Sequence, residues 1–159
     1  VSEQLNVVVD IDGTLIDNRH LIRRAYAGLP VDLMKDAHDA PAIQPVVDWV
    51  KAHYAAGHRI CIVTARPFYS ANDTEKLLER LGIQYHEIAF RPTTGVKDVA
   101  YKRGWFTTHL RSHPWTIAID DNPYIVDMLE MLHVPVIQVP GWDFTHEGPI
   151  VPELPEVQP

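Results

Sequence analysis

Val7, Val8 and Val9 stand in succession, and the chain continues Asp10-Ile11-Asp12-Gly13-Thr14. Three β-branched apolar residues read as a buried strand, which Gly13 and Thr14 then break into a turn. Two carboxylates one residue apart therefore fall at the strand's carboxyl end, where open α/β sheets place their ligands. An unpaired buried charge costs too much to persist, so carboxylates there must be hydrogen-bonded, metal-bound or reactive. The arrangement suits a nucleophilic aspartate, an acid–base aspartate and a Mg²⁺ ion. Two plainer readings compete, a structural turn and a calcium loop. The calcium loop fits badly, because Gly13 holds the fourth position instead of the sixth, and Leu21 stands where the bidentate glutamate belongs.

The same grammar recurs along the chain. Ile60-Cys61-Ile62-Val63 is a second apolar run, ending in Thr64-Ala65-Arg66, and Thr116-Ile117-Ala118-Ile119 is a later one, ending in Asp120-Asp121-Asn122-Pro123. Strands are predicted over 5–11, 59–63, 84–90, 115–119 and 134–139. Helices are predicted over 42–56, with Val46, Val47 and Val50 on one face and Gly57 as its stop, and over 70–81, ended by Gly82. A helix over 96–103 carries Lys97 and Lys102 and stops near Gly104; another over 123–132 opens with Pro123 and is capped by Asn122. Strands alternating with helices are the pattern of a parallel sheet with crossover helices. The expected fold is α/β: a doubly wound, Rossmann-like parallel sheet with helices on both faces.

Composition narrows the setting. At 159 residues, 46% hydrophobic and 22% charged, the chain fits one ordinary globular domain with a sizeable core. No apolar run is long enough to span a membrane, and no signal-peptide pattern is present. Cys61 is the one cysteine and sits in an apolar strand, which excludes an internal disulfide and fits a reducing cytoplasm. The net charge of −7 argues against indiscriminate nucleic-acid binding. His109 and His113 have a four-residue spacing that zinc sites use, but His113 precedes Pro114, and the pair reads as surface polar residues.

With acid, hydroxyl, amine and acid gathered at strand ends, the chain resembles the haloacid dehalogenase superfamily of phosphohydrolases over residues 5–144. The four motifs match Asp10-x-Asp12-Gly13-Thr14, Thr64, a lysine in the helix before the fourth strand, and Asp120-Asp121. Within that superfamily it resembles the phosphatase domain of phage-type polynucleotide kinase–phosphatase. That likeness rests on Thr64-Ala65-Arg66, on Arg91 followed by Asp98-x-x-x-Lys102, on Ala118-Ile119-Asp120-Asp121, and on Gln138-Val139-Pro140-Gly141-Trp142-Asp143-Phe144. By itself the helix leaves Lys97 and Lys102 as competing lysines, with a surface Asp98–Lys102 pair as the plain reading; the resemblance selects Lys102.

The resemblance implies roles. Asp10 is the nucleophile, forming an aspartyl-phosphate, and Asp12 is the general acid–base, a group that dehalogenase and ATPase-type members lack. Thr64 donates to a phosphoryl oxygen, and Lys102 neutralises charge at the reacting centre. Mg²⁺ is held by Asp10, by Asp12 through its backbone carbonyl, and by Asp120 or Asp121. Arg66 contacts substrate and Asp98 orders a nearby basic residue; Arg19, in Arg19–Arg24, is the nearest match to an arginine acting early in the family's insert. The expected organisation is one phosphatase domain over 1–147, with 17–41 as a minimal cap insert of one or two helical turns, and an extended Pro-rich tail with few apolar anchors over 148–159. The expected substrate is a polynucleotide 3′-phosphate end. A nucleotidase or other small-molecule phosphatase is the first alternative, and a binding domain that has lost catalysis the second. Oligomeric state is not legible.

Overall fold

Val7 and Val9 enter one apolar layer and Val8 the other. The alternation repeats across the sheet: Ile60 and Ile62 face the first layer and Cys61 and Val63 the second, while Ile119 and Ala118 divide in the same way. A sheet with both faces buried needs helices on both, and each fully buried Val, Ile or Leu contributes roughly 1.5–3 kcal/mol. The computed structural model describes residues 3–92 and 95–158. Its strands are β1 (Asn6–Val9), β2 (Arg59–Pro67), β3 (Glu87–Arg91), β4 (Thr116–Asp120) and β5 (Val136–Gln138). They form one parallel sheet in the order β3-β2-β1-β4-β5. The chain thus winds outward in both directions from β1, and the crevice at the carboxyl ends of β1 and β4 is the switch point where such folds bind ligands.

Two helices, α3 (Gln44–Ala55) and α4 (Ala71–Leu81), supply the first layer, through Val46, Val47, Trp49, Val50, Leu77 and Leu78. The second layer is covered by α5 (Asp98–His109) and α6 (Pro123–Met131), through Phe106, Ile125, Met128 and Leu129. The insert holds α1 (Arg19–Tyr26), the single turn α2 (Leu33–Asp36) and a 3₁₀ turn over Ala37–Asp39. Asn122 caps α6 as expected, its side chain accepting from the Tyr124 amide at 3.0 Å.

Three expectations are corrected. The helix carrying Lys102 does not stop at Gly104 but runs on to His109. Mid-helix glycine costs only about 1 kcal/mol relative to alanine, and burial of Phe106 beyond it outweighs that. The second strand extends through Thr64-Ala65-Arg66 to Pro67, and its pairing with β3 shifts register between Val63 and Pro67. Such irregularities re-aim side chains and are common beside active sites. The tail is extended, as its prolines require, but anchored: Ile150 is buried, Leu154 and Val157 pack on the first layer, and Trp49 Nε1 donates to the Pro155 carbonyl at 2.9 Å.

Candidate active site

Strand ends and one helix converge at the switch point. From β1 come Asp10 and the following Asp12, from β4 come Asp120 and Asp121, and from α5 comes Lys102. Lys102 Nζ lies 2.8 Å from Asp10 Oδ1 and 2.6 Å from Asp120 Oδ2. The Thr14 hydroxyl sits between Asp10 Oδ2, at 3.2 Å, and Asp121 Oδ1, at 3.5 Å. Asp120 is fixed from its other side, where Oδ1 accepts from the Asn122 amide at 2.9 Å. Asp10, Thr14, Lys102, Asp120 and Asp121 are buried, while Asp12 and Asn122 are half-buried.

Gly13 makes this approach possible. Its backbone sits in the left-handed region at φ +79°, and a Cβ there would collide with the Asp121 carboxylate. Gly141 in turn packs on the Gly13 carbonyl so closely that it too has no room for a side chain. The Asp-x-Asp-Gly turn and the Gly141-Trp142 segment are therefore mutually dependent.

The charges do not balance. Asp10, Asp120 and Asp121 face a single ammonium, an arrangement that buries net negative charge. Burial raises Asp10 to about 7, with Lys102 opposing and Asp120 reinforcing the rise. Asp121 is likewise pushed well above its ordinary value by burial and then by Asp10 and Asp120. For Lys102 burial acts downward, but the two aspartates outweigh it and hold the group above its usual value. Carboxylates that cannot all ionise alone are the donor set for a hard cation, and one oxygen from each of the three lies within 4.8 Å of the others. The residues present fit Mg²⁺.

Above the cluster opens a cavity of about 100 Å³, walled by Asp10, Asp12, Lys102, Asp121, Ala65 and Trp142, among others. That space is large enough for a phosphoryl group.

The other expected site residues are placed differently from one another. Lys102 is in the cluster, whereas Lys97 is exposed just before α5. Thr64 is buried in the carboxyl-terminal half of β2; its oxygen accepts from the Arg66 amide at 3.1 Å, which leaves its proton to donate. Arg66 does not open onto the cavity. At 2% exposure, it grips Asp12 with two bonds of 2.8 Å and donates a third to Thr74. Asp98 stands 3.8 Å from Arg91, whose Nε donates to the Ala65 carbonyl. Arg19 is not brought to the cluster. Its guanidinium is divided between Asp17 and the carbonyls of His146 and Gly148. At both arginines the structure differs from the expected substrate contact, since each guanidinium nitrogen already donates to a group of the protein: Asp12 and Thr74 for Arg66, and Asp17, His146 and Gly148 for Arg19.

Thr14, Asn18 and Trp142 were not singled out by sequence reasoning. Thr14 had a signal in the Asp-x-Asp-Gly-Thr motif itself. Trp142 had one in the Gly141-Trp142 ending. Asn18, 3.4 Å from Asp12 Oδ1, had none.

A family model for the phosphatase domain of polynucleotide kinase PNKP matches residues 4–144. The chain belongs to that family. It is a phosphohydrolase of the haloacid dehalogenase superfamily. Among solved structures, this PNKP-family domain superposes on a chain of a Pnkp1/Rnl/Hen1 complex with TM-score 0.72 and 24% identity, covering 87% of this chain and 46% of that one. It thus spans less than half the length of that relative. The class C acid phosphatase from Bacillus anthracis, with tungstate bound, gives TM-score 0.58 at 21% identity, over 76% of this chain and 53% of that one. A predicted phosphatase from Clostridium acetobutylicum gives 0.60 at 16% identity, over 86% and 85%. At such identities the likeness establishes the shared fold. No curated protein matches this chain. Among the described residues no helix is long and apolar enough to cross a membrane.

Proposed function

We propose that this domain hydrolyses phosphomonoesters in a Mg²⁺-dependent reaction through an aspartyl-phosphate on Asp10, and that its substrate is the 3′-phosphate of a polynucleotide end. The observation that carries the reading is the convergence on Asp10 of an ammonium, a hydroxyl and two further carboxylates beneath a phosphoryl-sized cavity. The Asp10 carboxylate attacks phosphorus while the bond to the leaving 3′ oxygen breaks, and Asp12 gives that oxygen its proton. In the second half Asp12 takes a proton from water, whose oxygen attacks the acyl phosphate, releasing phosphate and restoring Asp10. Arg66 and Asn18 hold the Asp12 carboxyl in one orientation, so Arg66 is a positioning residue acting through Asp12. Lys102 balances charge on Asp10, and Thr64 donates to a phosphoryl oxygen. Mg²⁺, held by Asp10, Asp120 or Asp121 and the Asp12 carbonyl, supplies the positive charge that lets an anionic phosphate approach this acidic centre.

Family membership supports a polynucleotide substrate, and so does the shape of the site. No residue of 17–41 lines the cavity, so the cap leaves it open to a large molecule. Trp142, 39% exposed in the cavity wall, offers an aromatic face on which a nucleobase can stack.

The test is a panel of 3′- and 5′-phosphorylated oligonucleotides, mononucleotides and an aryl phosphate. Turnover should vanish with chelator and return with Mg²⁺, 3′-ends should show the highest kcat/KM, and Asp10→Asn should be essentially inactive. An active Asp10→Asn protein, free of deamidation, overturns the mechanism. Equal rates on 3′-ends, 5′-ends and mononucleotides identify a small-molecule phosphatase instead.

A further inference from the structure

With a 3′-phosphate seated in the cavity, the remainder of a polymer must continue across the surface, and one route adjoins the cavity. At Asp98 and Asn122 the cavity adjoins a second concavity of about 410 Å³, lined by Arg91, Val96, Lys97 and Val99. That concavity shares Lys97 and Val99 with an open trough of about 720 Å³ along the outer face of α5, lined by Arg103, Gly104, Thr107 and Thr108.

The charge of this route is opposite to that of the chain. Arg91, Lys97 and Arg103 line it, and beyond the reaction cavity its one acid is Asp98, which faces Arg91 at 3.8 Å. Lys97 and Arg103 are exposed and, among the described residues, have no ion-pair partner. The protein carries a net charge of −7, so a polyanion can settle only on a local patch of this kind. The arginines that the sequence suggested for the task are taken: Arg19 and Arg66 are buried in bonds to the protein, and Arg23 donates to the Phe144 carbonyl at 2.9 Å.

The floor of the trough is made of small side chains. Gly104 lies in the middle of α5, where glycine costs about 1 kcal/mol relative to alanine. A Cβ there would meet nothing within 4 Å, so packing does not demand glycine. Its absence of side chain, with Ala100, Thr107 and Thr108 beside it, keeps the trough open between Lys97 and Arg103.

Resting on the reading of the site as a polynucleotide 3′-phosphatase, we propose that the strand leading to the 3′-phosphate lies in the trough along α5, with Lys97 and Arg103 meeting its backbone phosphates. From Lys97 to Thr108 the helix rises about 16 Å. That distance corresponds to roughly five stacked nucleotides.

The experiment measures kcat/KM on 3′-phosphorylated oligothymidylates of increasing length and on an aryl phosphate, for the wild-type protein, Lys97→Glu/Arg103→Glu and Gly104→Gln. In the wild-type protein the oligonucleotide-to-aryl ratio should climb with length and level off at roughly five nucleotides. The charge-reversed variant should lose the climb, with the ratio for long substrates falling at least tenfold and the salt slope shrinking by about 1.4, the single-strand value for two phosphates. Gly104→Gln, which keeps both charges but fills the floor, should lose most of the climb. Binding of a fluorescent 3′-phosphorylated oligothymidylate to Asp10→Asn protein, read by anisotropy, should weaken in parallel. A climb that survives charge reversal overturns the path and leaves the polynucleotide substrate standing. A wild-type protein that cleaves aryl phosphate yet gains nothing from length overturns both path and substrate, while the phosphatase chemistry remains. If nothing is hydrolysed, anisotropy still decides: binding indifferent to the variants overturns the path.

Discussion

One ammonium facing three buried carboxylates makes Lys102 the most consequential cation in the domain. Lys97, one and a half turns earlier, lies outside the cluster. Removing Lys102 takes away the one full positive charge that, among the described residues, is bonded to Asp10, and loss of one such electrostatic stabiliser costs roughly a hundredfold to a thousandfold in kcat. Lys102→Ala should therefore cut aryl phosphate turnover by at least a hundredfold in steady-state assays, while Lys97→Ala retains it. The reverse result would detach the candidate mechanism from the cluster. Arg66 belongs to the same scale but acts at one remove: a planar fork fits the Asp12 carboxylate at two points, which lysine cannot do.

Between elements, arginine serves as a fastener. Arg19 on α1 pairs with Asp17 at 2.7 Å and donates to the carbonyls of His146 and Gly148, while Arg23 reaches Phe144. The insert is thereby stitched to the segment that leads from β5 into the tail. The Arg19 bond to Asp17 holds that carboxyl below its ordinary value. Arg19→Ala would strand Asp17 and two carbonyls; since Asp17 keeps some solvent contact, the loss should be about 2–3 kcal/mol, at the low end for a broken ion pair. Urea unfolding should register that loss, and aryl phosphate kcat per folded molecule should stay within a few-fold of wild type. A folded Arg19→Ala protein with kcat down a hundredfold would restore Arg19 to the substrate.

Across the whole molecule, pH reaches stability through groups on opposite sides of the balance. His53 on α3 is 5% exposed, its ring edge-on to Trp49 at 4.2 Å, and its Nδ1 has no partner among the described residues. Burial, then His58, pushes it from 6.5 down to about 4. Between those values the unfolded chain binds the proton and the folded one does not, so this stability is fully present above about pH 6.5 and is lost as pH falls toward 4. With some solvent screening the loss is on the order of 2–3 kcal/mol. In metal-free protein Asp10 works in the other direction: its value near 7 means that the folded state holds the proton more tightly, so protonation below neutrality stabilises. The gap between wild type and His53→Phe isolates the histidine. Measured by urea unfolding from pH 7.5 to 4, the variant should gain on wild type as pH drops, and a constant gap would refute the assignment.

Local pattern determined the architecture and the acidic half of the site. Val7-Val8-Val9, Ile60–Val63 and Thr116–Ile119 are apolar on both faces, so they can only be interior strands, and parallel strands bring their carboxyl ends together. Asp10, Asp12, Asp120 and Asp121 inherit their convergence from that geometry. Local pattern left Lys97 and Lys102 open and only the family resemblance favoured Lys102; the tertiary structure brings Lys102 to Asp10 and Asp120, because that depends on which face of α5 meets a strand end far away in the chain. It also decided the arginines. A long guanidinium takes whichever carboxylate or carbonyl the fold brings within reach, and for Arg19 and Arg66 these were Asp17, Asp12 and the tail. The run of α5 beyond Gly104 and the anchoring of the tail escaped the sequence for a related reason. Each follows from burying distant apolar partners, and that gain exceeds what local propensity charges against it.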